Sequence, residues 1–82
     1  MMRIVKEVLH PELKITIFHW NNRYLIKLEA GLLEQTYKIP EYDLSSDEEV
    51  VQILDNDFIN EVVKIFREMN KCLGESITRH EA

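Results

Sequence analysis

The chain has 82 residues, 45% of them hydrophobic and 30% charged, and a formal net charge of −5. A chain of this size holds one domain and one modest core, burying only a little over ~60% of its unfolded surface. No run approaches the ~18 apolar residues of a membrane span, the amino terminus has no apolar signal segment, and the single Cys72 can form no internal disulfide, so a cytoplasmic protein is expected.

The charge is unevenly placed. Residues 1–40 carry six basic and four acidic side chains, residues 41–61 carry eight acidic and none basic, and residues 62–82 carry four basic and three acidic. The acidic excess therefore sits between two slightly basic ends, and the net charge says little about the amino-terminal half.

Residues 3–9 read as a first strand, ended by His10-Pro11-Glu12. Its inward side depends on the loop: a two-residue loop turns Ile4 and Val8 to the core, a three-residue loop Val5 and Leu9. Strands over 13–20 and 23–30 follow, joined by Asn21-Asn22, since asparagine tolerates the left-handed backbone of a two-residue type I′ turn. That turn pairs Trp20 with Arg23 and fixes the ladder down to Lys14 with Glu29. Leu13, Ile15, Ile17 and His19 then share the core face with Tyr24, Ile26, Leu28 and Ala30. His19 is expected to be a hydrogen-bonded structural residue beside Tyr24.

Gly31 marks a second tight turn into a fourth strand, 33–39, which adds Leu33, Tyr37 and Ile39 to the core face and Glu34, Thr36 and Lys38 to the other. A linker covers 41–45. Ser46 to Glu49 has the capping-box spacing and opens a short helix, 47–54. A longer helix, 57–73, carries Phe58, Ile59, Val62, Val63, Ile65, Phe66, Met69, Cys72 and Leu73 at spacings of three and four. Cys72 among these positions is expected to be a buried thiol, Gly74 to stop the helix, and 74–82 to form a tail. The fold class is α+β: a four-stranded antiparallel meander, a short helix, and a long helix packed on one sheet face.

The second face of the sheet is the one feature that a bare domain leaves unexplained. It carries Phe18, Trp20 and Leu25 with Lys14, Arg23, Lys27 and Lys38, against Glu29 and Glu34. Aromatic residues interleaved with basic ones on a sheet suit stacked single-stranded bases. Exposed aromatics on a sheet equally suit a protein interface. A second subunit, a nucleic acid, or the chain's own short helix could cover this face.

No motif for catalysis is present: there is no phosphate-binding glycine loop, no paired cysteines, no HExxH, and no nucleophile-elbow serine. His10, His19 and His80 lack ligand spacing. Asp55-Asn56-Asp57 begins like a calcium loop but lacks its glycine and closing glutamate, so the acidic run reads as helix caps and solvated surface. No metal or cofactor is called for.

The run KITIFHWNNRYLIKLEAGLLEQTYKIPEYDL, with FINEVVKIFREMNKCLGE after the acidic segment, is similar to short uncharacterised bacterial proteins, a resemblance that implies no activity. The order of four antiparallel strands then helix resembles the unit of Whirly and PUR-type proteins, which implies single-stranded nucleic-acid binding. The expected function is a non-enzymatic module that forms a homodimer through Phe18, Trp20, Arg23, Leu25, Lys27 and Lys38. The alternative is a single-stranded nucleic-acid binder using the same face.

Overall fold

The computed structural model describes residues 1–81. Strands β1 (Arg3–Leu9), β2 (Lys14–Trp20), β3 (Arg23–Ala30) and β4 (Leu33–Pro40) form one antiparallel sheet in the order β1-β2-β3-β4. A 3₁₀ turn (Glu41–Asp43), a short helix α1 (Asp47–Gln52) and a long helix α2 (Asn56–His80) follow.

The β2–β3 hairpin has the expected register at all seven pairs, from Trp20 with Arg23 to Lys14 with Glu29. Asn21 and Asn22 hold φ of 55° and 63°, the two left-handed residues that a type I′ turn needs. Gly31, at φ 60°, leads the two-residue turn into β4, where a first central glycine belongs to type II′.

Strand β1 takes one residue from each of its two sequence alternatives. His10 and Leu13 exchange backbone hydrogen bonds of 3.1 and 3.3 Å around Pro11-Glu12, a two-residue loop that turns Val8 inward opposite Ile15. A bulge between Ile4 and Lys6 then shifts the phase, so Val5 packs against the core and Ile4 turns to the other face opposite Phe18.

Both helices lie on the inner face. Leu13, Ile15, Ile17, Tyr24, Ile26 and Leu28 of the sheet bury against Val50 of α1 and Val62 and Phe66 of α2. Ser46 caps α1, its hydroxyl accepting from Glu49 N (3.2 Å), and the Glu49 carboxylate accepts in return from Ser45 N (2.9 Å) and from the Ser45 hydroxyl. Asp55 caps α2 by accepting from Phe58 N at 2.8 Å.

Two expectations about α2 are corrected. The helix passes through Gly74 and ends at His80, so 74–80 are helical and only Ala82 of the expected tail lies outside the described residues. Gly74 is not left-handed and therefore forms no helix-ending cap; its cost of ~1 kcal/mol is one that a 25-residue helix absorbs. Cys72 is exposed rather than buried, because it lies one heptad after Ile65 on a flank of α2 turned away from Val62, Phe66 and Met69, and Leu73 and Ile77 near it are themselves half exposed.

Candidate interaction face

Alternation along the strands sets a second face in cross-strand rows. One row is Ile4, Phe18, Leu25 and Lys38, flanked by Trp20, Arg23 and Pro40. The next is Glu7, Thr16, Lys27 and Thr36, and the last is Leu9, Lys14, Glu29 and Glu34. Among the described residues no element of the chain crosses this face, since α1 and α2 both pack on the inner one. The short helix is therefore not its cover.

The expected residues are brought together. Trp20 is 43% exposed, Phe18 is half-buried beside it, and Leu25 is 9% exposed, already shielded by its neighbours. Arg23 and Lys38 border a shallow depression with Asn21, Asn22 and Pro40. Lys27 is drawn away from the aromatic cluster to Glu34 (Nζ to Oε2, 3.6 Å). Ile4, 55% exposed, joins the cluster although its sequence did not place it there. A bulge was the missing signal, and nothing in RIVKEVL announces one. Glu7 joins the same face, so it carries four basic and three acidic residues and is less positive than Lys14, Arg23, Lys27 and Lys38 against Glu29 and Glu34 alone.

The ionisable cluster of the molecule is elsewhere, at the inner edge of the sheet. Asp47 accepts from both terminal guanidinium nitrogens of Arg3 (Nη1 3.0 Å, Nη2 3.3 Å) and from the Tyr24 hydroxyl (2.7 Å). The Arg3 bond, then that of Tyr24, holds the Asp47 carboxyl below the usual carboxylate range; the bond to Asp47, then burial, pushes the Tyr24 hydroxyl up. His19 Nε2 donates to Glu41 Oε2 at 2.8 Å and its ring lies 4.8 Å from that of Tyr24, the structural role expected of it. These bonds fasten α1 and the 3₁₀ turn to β1–β3.

A groove of about 470 Å³ opens where α2 overhangs the sheet, lined by Leu13, Ala30, Leu32, Leu33, Phe66 and Leu73 with Glu12 and Arg67 at its rim. It brings together no nucleophile and base. No helix of the described residues is long and apolar enough to cross a membrane. No family model matches the chain, and no curated protein or solved structure is detectably similar to it.

Proposed function

We propose that this is a small, cytoplasmic, non-enzymatic interaction module that self-associates through the open sheet face, with Trp20 as its anchor. The observation that carries the reading is the row Ile4, Phe18, Leu25 with Trp20 beside it, a contiguous apolar patch that the chain leaves uncovered.

Leu25 adds little because it is already buried, whereas Ile4, Phe18 and Trp20 still have area to lose. With Ile4 and Trp20 about half exposed and Phe18 less so, burying them contributes ~3 to 5 kcal/mol per protomer, doubled across a twofold contact. That is of the size of the ~4 to 15 kcal/mol association cost, so these side chains offset that cost and the net affinity is modest.

Light scattering of wild type and Trp20→Ala tests the reading. The 43% of Trp20 that remains exposed is ~110 Å² of a ~250 Å² side chain, or ~5 kcal/mol over two copies, so truncation should weaken association by roughly 10³-fold. A wild-type monomer at high micromolar concentration, or a mutant of unchanged affinity, contradicts it. Titrating labelled single-stranded oligonucleotides at low salt decides the alternative: salt-sensitive binding lost in Trp20→Ala would make this a nucleic-acid face.

A further inference from the structure

Strand β4 is an edge of the sheet, and we infer that it pairs antiparallel with β4 of a second copy, in the register centred on Thr36. The ladder with β3 settles which backbone groups are free. Ala30 and Leu33 close a two-residue turn and so form a hydrogen-bonded pair; alternation makes Leu28 with Gln35 and Ile26 with Tyr37 hydrogen-bonded as well. The N–H and C=O groups of Glu34, Thr36 and Lys38 therefore point outward from the sheet. All three residues are exposed, and the strand runs eight residues with no bulge and no proline before Pro40. The other edge, β1, is interrupted by its bulge.

A second copy is favoured because the strand is complementary to itself. A twofold axis through Thr36 sets Glu34 opposite the partner's Lys38, Lys38 opposite the partner's Glu34, and Thr36 opposite the partner's Thr36. Each is a favourable cross-strand pair, and each lies where the outward groups exchange both backbone hydrogen bonds. On the inner face the same register sets Leu33 opposite the partner's Ile39 and Gln35 opposite the partner's Tyr37. Within the single chain these charges are poorly matched: Glu34 lies opposite Glu29, relieved only by the 3.6 Å contact with Lys27, and Lys38 lies opposite Leu25.

Helix α2 agrees with this placement. It runs along β4, with the Phe58 ring 5.6 Å from that of Tyr37 and the Val62 carbonyl accepting from Gln35 Nε2 at 3.1 Å. Ile65 lies two turns after Phe58 on the same flank and is 43% exposed. The twofold axis stands perpendicular to the sheet, so it keeps both α2 helices in one layer and gives that flank a neighbour. It also joins the two open faces into one continuous surface, so edge pairing and face-to-face association are compatible and together close a tetramer.

Charge exchange across the axis tests the pairing. The measurements are made in Trp20→Ala protein to remove association through the sheet face, with light scattering at about 100 µM and low salt. Trp20→Ala should remain a dimer, and adding Glu34→Lys or Lys38→Glu should weaken that dimer by roughly 10- to 100-fold, as two attractive pairs become repulsive. Adding both exchanges together should restore it. A monomeric Trp20→Ala protein, single exchanges that leave the mass unchanged, or a double exchange that fails to rescue overturns the inference. The proposed face association fails separately, when Trp20→Ala has the same mass and affinity as wild type while Glu34→Lys still dissociates it. Circular dichroism checks that each variant is folded, and the rescued double exchange removes the remaining doubt about folding.

Discussion

Ile17 and Phe18 are adjacent on β2 but face opposite ways, and replacing each with alanine should have effects of different kinds. Ile17 is fully buried against both helices, so Ile17→Ala leaves a core cavity and should cost ~2 to 5 kcal/mol. An 82-residue domain has only ~4 to 12 kcal/mol of stability in total. At 4 to 8 °C per kcal/mol, the melting temperature should fall by roughly 20 °C. Phe18 is half-buried on the open face, so Phe18→Ala should cost the isolated chain only ~1 to 1.5 kcal/mol. Its larger effect should be on mass action, because a partner that binds only the folded state raises the melting temperature with concentration. Thermal unfolding followed from 2 to 200 µM, in a Glu34→Lys background that weakens pairing at the strand edge, separates the two. Ile17→Ala should lower the whole curve and keep its concentration dependence, whereas Phe18→Ala should flatten it. A Phe18→Ala protein that keeps the full dependence, or a parent protein that shows none, refutes the division of the sheet into a core face and an association face.

Acid should loosen α1 before it unfolds the sheet. The folded-state pKa of Asp47 is depressed by Arg3 and Tyr24, and that of Glu49 by Ser45, so their contribution is full above the ordinary carboxylate range and is lost as pH falls through the depressed values, below about pH 4. Urea unfolding of Asp47→Asn should show less of this acid dependence; an unchanged profile contradicts the assignment. Tyr24 gives the opposite sign: its raised pKa stabilises the fold below about pH 10, and that stability should fade as pH rises through the folded value, without doing so in Tyr24→Phe. Gln35→Leu removes the acceptor of the Tyr37 hydroxyl (2.6 Å) and the donor to the Val62 carbonyl, and should cost ~1 to 3 kcal/mol in denaturant titration. Asp55→Ala should cost ~1 kcal/mol by freeing Phe58 N, measured the same way.

The sheet was largely readable from local chemistry. Asn21-Asn22 admits one turn, that turn admits one register, and the register sorts Ile15, Ile17, Ile26 and Leu28 from Phe18, Trp20 and Leu25. Where local chemistry allows several outcomes, reading stops. The bulge at Val5 exchanges Val5 for Ile4 across the faces of β1, and RIVKEVL suits either phase equally well. Gly74 has a helix-ending residue type, yet its effect depends on whether the chain there turns left-handed, and Glu75 to His80 continue as helix. Cys72 follows the apolar spacing of α2, but that stripe is wider than the part of the helix the sheet covers, and Cys72 lies with Ile65 on its open flank. The outward groups of β4 required the ladder itself, because only the pairing of Ala30 with Leu33 shows which residues of the strand turn their backbone away from β3.

Trp20 is the only tryptophan in the chain, so its fluorescence reports on the open face alone. Diluting the wild-type protein from high micromolar to nanomolar concentration should shift its emission maximum to longer wavelength as the face returns to water, with a midpoint matching the fall in mass by light scattering. An emission maximum that stays constant while the mass falls, or a mass that never falls because the protein is always monomeric, contradicts association through this face.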